Sequence, residues 1–296
     1  MQQIDPRLRG SAAIILASVL WGTTGTAASF APHISPLGIG AFAMGVGGLL
    51  LALKSAPALR RELPLLLRQR ALLVAGGLAV AVYPLAFYTA MRLAGVTVGT
   101  LVSIASAPVF TALLEGLINR RPITRRWLLS FASGVCGVIL LVRARPHTTV
   151  DSDTGLYLSG IVLGLVAGLT YAAYSWLAKR LIDKGLGSEP VVAGMFLLAA
   201  AVLLPSLALT GTGLFAGPVN TTVALYMAVV PMFLGYLAFG YGLRFVPAAK
   251  VTLITLLEPV VAAALAMLVL GERLTLYGCL GVSLVFACLV LQLRVP

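Results

Sequence analysis

The sequence predicts an all-α membrane protein: ten transmembrane helices in two inverted five-helix repeats, with both termini cytoplasmic. Three observations carry this expectation. The 296 residues are 60% hydrophobic and only 10% charged, whereas a soluble domain carries about 25% charged residues. The apolar residues gather into ten runs separated by short polar connections. The chain also repeats itself, with matching residues 151 or 152 positions apart.

Composition comes first. A mean hydropathy of +1.03 leaves too few charges to cover a water-facing surface, so the outer surface faces a lipid bilayer. The net charge of +12 does not point to nucleic acid. The basic residues sit in short clusters between apolar runs, as the positive-inside rule produces, and not along one amphipathic face. Cys136, Cys279 and Cys288 all lie within apolar runs. They form neither a disulfide framework nor a metal-ligand spacing, so no metal and no cofactor are expected. Arg7 and Arg9 ahead of an apolar stretch imitate a secretory signal. Cleavage is not expected, because the stretch is one of ten similar ones.

A helix needs about 20 apolar residues to cross the hydrocarbon core. The runs place spans at 11–30, 36–53, 71–91, 97–117, 127–143, 155–178, 190–210, 221–243, 248–270 and 274–293. Helices are required because lipid offers the backbone no hydrogen-bond partners, and the continuous runs lack the alternation of a membrane β-barrel. With the N-terminus inside, 17 of the 21 Lys and Arg residues fall on the inner side. Arg92, Arg143, Arg145 and Arg273 fall outside. That imbalance orients both termini to the cytoplasm.

The repeat is read from three matches. Pro108-Val109 recurs as Pro259-Val260, Thr124 as Thr275, and Phe87 and Arg92 as Phe239 and Arg244. The polar stretch 146–153 joins the halves, giving a first unit over 1–148 and a second over 149–296. Five spans per half means that the second half enters the bilayer from the opposite side. Inverted repeats of this kind typify secondary transporters.

Polar and aromatic side chains inside spans mark the candidate substrate-binding residues. They are Trp21 and Thr24 in span one, Tyr83, Phe87 and Tyr88 in span three, and Ser103 and Ser106 in span four. Tyr171, Tyr174 and Ser175 follow in span six, Tyr236 and Phe239 in span eight, and Thr255 and Glu258 in span nine. Tyr83 and Phe87 share a helical face, as do Tyr171, Tyr174 and Ser175. Tyr157, Trp127 and Tyr226 read as interface anchors. Pro84, Pro108, Pro231 and Pro259 interrupt spans three, four, eight and nine and are candidate hinges. Gly22, Gly25 and Gly168 could bend as well, although glycine stripes more often mark close packing.

Charge narrows the ligand. No Lys or Arg lies near the middle of a span, which argues for a neutral or zwitterionic small molecule and against an anionic phosphate compound. Glu258 lies roughly 12–15 Å into its span at 1.5 Å per residue. It is there to bind a substrate ammonium, to carry a proton, or to be held by hydroxyls and backbone near Pro259. Glu115 and Glu272 lie near basic residues at span ends and read as ion pairs, while His33 and His147 fall in outer loops. Metalloprotease, paired-aspartate and serine–histidine constellations are missing, which excludes the familiar membrane-embedded enzymes.

The 5 + 5 layout, Leu20-Trp21-Gly22-Thr23, the two Pro-Val pairs and Leu270-Gly271-Glu272-Arg273-Leu274-Thr275 together resemble the EamA-type branch of the drug/metabolite transporter superfamily. The first half departs from the family pattern, with Arg121 where a glutamate matching Glu272 is usual. The tyrosine-rich interior also resembles an aromatic amino-acid exporter of that family. The resemblance implies export of amino acids, aromatic or apolar ones included, and of related metabolites across the bacterial inner membrane. A nucleotide-sugar or sugar-phosphate carrier of the same superfamily is the alternative, with a membrane-embedded enzyme behind it.

Overall fold

The computed structural model describes residues 5–120, 122–143, 154–270 and 276–293, and every element among them is helical. The joint at 146–153, the turn residues Arg121, Glu272, Arg273 and Thr275, and Arg145, His147 and Arg294 lie outside the described residues.

The first predicted span is two helices, α1 (Pro6–Gly22) and α2 (Thr24–Ser29). Asp5 caps α1, its carboxylate accepting from the Arg7 N–H, and Pro6 starts the helix where a missing N–H costs nothing. At the break, the Thr23 and Thr24 hydroxyls donate to the carbonyls of Leu20 and Trp21. Helix α3 (Pro36–Lys54) starts in the same manner, with Ser35 as cap and Pro36 at its first position.

Helix α4 (Ala56–Arg68) occupies a segment that the span reading leaves as a connection. Its polar and apolar residues alternate with helical period. Leu66 is buried while Arg60, Arg61 and Arg68 face outward. A search for long apolar runs passes over such a helix because its hydrophobicity lies in the pattern rather than the mean.

Helix α5 (Arg70–Ala94) runs unbroken through Pro84, and α6 (Val96–Ile118) through Pro108. Only Gly95 separates them. Its φ of 84° lets the chain turn back without a loop. Helices α7 (Arg125–Arg143), α8 (Thr154–Asp183) and α9 (Ser188–Thr210) follow. The eighth predicted span is α10 (Pro218–Met227), a π-helical segment Ala228–Leu234 and α11 (Gly235–Leu243). The ninth is α12 (Ala248–Ile254), a 3₁₀ turn Thr255–Leu257 and α13 (Glu258–Leu270). Helix α14 (Leu276–Leu293) closes the chain. Among the described residues eight helical segments are long and apolar enough to cross a membrane, counting α1 with α2, α10 with α11 and α12 with α13 as one each. The apolar stretch Leu276–Gln292 is shorter.

The most extensive packing joins the two halves of the chain: α5 on α8, α7 on α14, α3 on α9 and α6 on α8. Small residues permit these approaches, as expected where lipid provides no hydrophobic drive between helices. A methyl group on Gly137 would stand 2.7 Å from the Gly281 carbonyl, and one on Gly281 would stand 2.7 Å from that of Gly137. Gly168 lies against Ser106 Oγ, and an added methyl would be 2.8 Å from the Ser103 carbonyl. Gly22 is likewise filled in by Val261, whereas Gly25 borders open space. Two of the three residues read as interface anchors also bond within the protein. Tyr226 donates to Thr23 Oγ1 (2.8 Å) and Trp127 Nε1 donates to the Ala249 carbonyl (3.3 Å).

Candidate functional site: a tyrosine-walled central cavity

Four elements bring aromatic side chains to one point. The i, i+4 spacing sets Tyr83 and Phe87 on one face of α5, where their rings stack at 5.7 Å. Helix α8 presents Tyr171 and Tyr174, 5.2 Å apart and both buried. Tyr83 reaches them at 5.7 Å from Tyr171 and 6.1 Å from Tyr174. From the other side come Trp21 of α1 and Tyr236 of α11, with ring centroids 4.9 Å apart.

Hydrogen bonds lock most of this wall. Tyr171 donates to Thr255 Oγ1 (3.0 Å), whose own hydroxyl donates to the Thr252 carbonyl. The Tyr174 and Tyr236 hydroxyls bond each other at 2.9 Å. Trp21 Nε1 donates to the Pro231 carbonyl at 3.0 Å. That bond ties α1 to the π-helical segment, where Pro231 has no N–H to keep the regular ladder. Buried polar tips thus find partners without losing the ring surface.

These side chains bound two connected chambers. The inner one, about 60 Å³, is walled by Tyr83, Tyr88, Tyr171, Tyr174 and Tyr236, with Met44 and Met232 filling the remainder. The outer one, about 420 Å³, falls within the size range of small-molecule sites. Trp21, Thr24, Phe87, Tyr88 and Glu258 border both, so they mark the passage between chambers. The outer chamber extends past α2 and the start of α3, and past the ends of α5 and α7, to Ala266 of α13. Here α13 packs on α2, at the end of the first span remote from the N-terminus. Toward the N-terminal side the structure is solid. Ile14, Leu243 and Val246 are buried there, and Gly10 packs against Phe245 and Val246.

Of the fourteen residues expected at the site, nine line the cavity: Trp21, Thr24, Tyr83, Phe87, Tyr88, Tyr171, Tyr174, Tyr236 and Glu258. Pro84 and Pro259 line it as well. The other five sit in helix contacts. Ser103, Ser106 and Ser175 donate to the carbonyls of Gly99, Ser103 and Tyr171, one turn back on their own helices. Phe239 backs Trp21 at 5.5 Å, and Thr255 receives Tyr171. Pro108 lies within α6 and does not reach the cavity. Met44, Met91, Met232, Thr100 and Ile104 line it without having been singled out. Methionines among many apolar residues carry no positional signal. Thr100 and Ile104, four apart, would have been legible as one face of a helix.

Electrostatically the cavity is one-sided. Among its described lining residues there is no Lys, Arg or His, and Glu258 is the sole acid. The Glu258 carboxyl makes no hydrogen bond or ion pair to another described residue. Glu115 is buried and accepts from the Ala249 N–H at 3.2 Å, while Arg121, one of the basic residues close to it in sequence, lies outside the described residues. The described residues hold no cluster of metal-ligating side chains.

Comparison with known proteins followed from this geometry. The model of the EamA-like transporter family matches twice, over residues 8–143 and 158–294. An uncharacterized transporter of Bacillus subtilis, YwfM, is 28% identical over 96% of this chain and 93% of its own length. A protein of Salmonella typhimurium named as a probable amino-acid metabolite efflux pump is 26% identical over 94% of this chain and 92% of its own. A protein of Streptantibioticus cattleyicolor named as a probable terminal-alkyne amino-acid exporter is 26% identical, over 57% of this chain. A solved crystal structure superposes with a TM-score of 0.79 at 17% identity, covering 95% of both chains, so the fold is shared. The protein is an integral, multi-pass membrane protein, and one similar protein of Salmonella typhimurium, 23% identical over 96% of this chain and 94% of its own length, is named as an uncharacterized inner membrane transporter.

Proposed function

The chain belongs to the EamA-like transporter family, and from that premise we propose that it is a secondary exporter of amino acids and related small metabolites, working by alternating access. The observation that carries this reading is the pair of chambers, an aromatic one of about 60 Å³ joined to one of about 420 Å³, whose described lining lacks any cation. Aromatic faces with a few hydroxyls suit a substrate with a planar or apolar side chain. A sugar phosphate or nucleotide sugar would need Lys or Arg against its phosphate, so the anionic branch of the superfamily fits less well. The relatives named as amino-acid exporters support the same substrate class.

In this reading ten spans form two inverted repeats, residues 1–148 and 149–296, with both termini in the cytoplasm. The double match of one family model favours it. So does the pairing of helices: α3 with α9 and α7 with α14 are equivalent spans of the two halves, and α5 with α8 mirrors α1 with α11. The cavity then opens to the outside and is sealed inside by the packing around Gly10, Leu243 and Val246. Trp21, Thr24, Tyr83, Phe87, Tyr88, Tyr171, Tyr174, Tyr236 and Glu258 contact substrate. Ser103, Ser106, Ser175, Phe239 and Thr255 hold the wall behind them.

Counterflow into proteoliposomes, with unlabelled amino acid inside and a labelled panel outside, tests the proposal. Aromatic and apolar amino acids or their derivatives should exchange faster than in empty vesicles. Exchange of a sugar phosphate but of no amino compound would reverse the choice.

A further inference from the structure

The polar groups of the cavity are not a matched set, and the mismatch bears on which end of a substrate they recognise. The N–H of Trp21 is spent on the Pro231 carbonyl, the Thr24 hydroxyl on the Trp21 carbonyl, and the Thr100 hydroxyl on Met91 Sδ. Tyr171, Tyr174 and Tyr236 bond to Thr255 or to one another. Among the described lining residues, the side-chain groups left without a protein partner are the Glu258 carboxyl, the Tyr83 and Tyr88 hydroxyls and, in the outer chamber alone, the Thr26 hydroxyl.

A substrate carboxylate would meet two phenols and no cation. It would also share a low-dielectric chamber with a second carboxyl group, where like charges cost several kcal/mol. A substrate ammonium meets the opposite situation. It gains an acceptor in Glu258, two phenol oxygens, and the ring faces of Trp21, Tyr83 and Phe87, which attract a cation. Glu258 stands where the two chambers meet. An ammonium held there leaves the outer chamber for an apolar body and the inner one for a small substituent.

From this geometry we infer that the cavity selects organic ammonium compounds with an aromatic or apolar body and no free carboxylate: amines, and amino acids masked as amides or esters. The inference rests on the reading of this cavity as the transport site and narrows its substrate class.

The full-length protein in nanodiscs would be titrated with five probes sharing one ring: phenethylamine, phenylalaninamide, phenylalanine, 3-phenylpropionate and 2-phenylethanol. Intrinsic fluorescence reports binding beside Trp21. Phenethylamine and phenylalaninamide should bind at least about tenfold more tightly than phenylalanine, a factor within reach of one buried ion pair and its ring contacts. Phenylpropionate should bind weakest. Glu258→Gln should erase the amine preference, bringing phenethylamine to within a few-fold of phenylethanol. Should that variant fail to fold, the order of the five probes on the wild-type protein still decides. Phenylalanine or phenylpropionate binding as tightly as the amines would overturn the inference, and so would a Glu258→Gln protein that keeps the preference. If phenylalanine exchanges in proteoliposomes while amines neither bind nor exchange, the transporter reading stands and the amine selectivity falls. If no probe binds and no amino compound exchanges, the failure lies with the cavity as transport site.

Discussion

At the scale of single residues, acidic side chains find partners in remote parts of the chain. Near the end of α6, Glu115 has Arg120 and Arg121 close in sequence, which suggests an ion pair. In the structure its Oε1 accepts from the N–H of Ala249, the second residue of α12. First-turn N–H groups lack a partner within their own helix, so Glu115 satisfies a donor that packing would otherwise leave dry. Glu62 does the same for the Gly187 N–H, at 2.7 Å, just before α9. Both bonds join the first half of the chain to the second. Replacing Glu115 with Ala should lower stability by about 1–3 kcal/mol, the cost of a buried unsatisfied group, whereas Gln keeps an acceptor and should recover most of the loss. Thermal unfolding in detergent measures both. Equal losses for Ala and Gln would mean that the charge, and not the bond to Ala249, matters. These partners lie 134 and 125 residues away in sequence. Local reading cannot find them because a helix N-terminus attracts any nearby acid.

Among the elements, the four prolines that punctuate equivalent spans behave differently in the two halves. Pro84 and Pro108 sit inside continuous α-helices. Pro231 lies in a π-helical segment, and Pro259 is the second residue of α13, just after a 3₁₀ turn. Regular helix is lost only at the second-half pair, and both breaks adjoin the cavity through the Trp21–Pro231 bond and Glu258. Hinge motion should therefore concentrate there. Pro231→Ala and Pro259→Ala should slow counterflow more than Pro84→Ala and Pro108→Ala. A uniform effect across the four, or none, would remove the hinge assignment from the second half. The prolines were legible as interruptions. Their consequence was not, since a proline kink depends on whether neighbouring groups re-satisfy the freed carbonyl.

For the whole molecule, the cavity and its seal define a state accessible from one side. With all three cysteines replaced, Gly25→Cys should react with a membrane-impermeant thiol reagent added outside intact cells, because Gly25 borders open space in the outer chamber. A C-terminal alkaline phosphatase fusion should stay inactive. Labelling of Gly25→Cys only from the cytoplasmic face would invert the topology and the state assignment together. The sequence by itself determined that the chain is helical and embedded in lipid. Hydropathy and the backbone's need for internal hydrogen bonds leave no other solution. It also marked most of the aromatic wall, since a tyrosine deep in an apolar span stands out against its surroundings. Tertiary structure alone decided which polar groups face the cavity. Tyr174 and Ser175 are adjacent in sequence, yet one lines the chamber and the other bonds to its own helix. A helix apolar on every side presents no amphipathic stripe, so only the packing of its neighbours separates the face toward lipid from the face toward substrate.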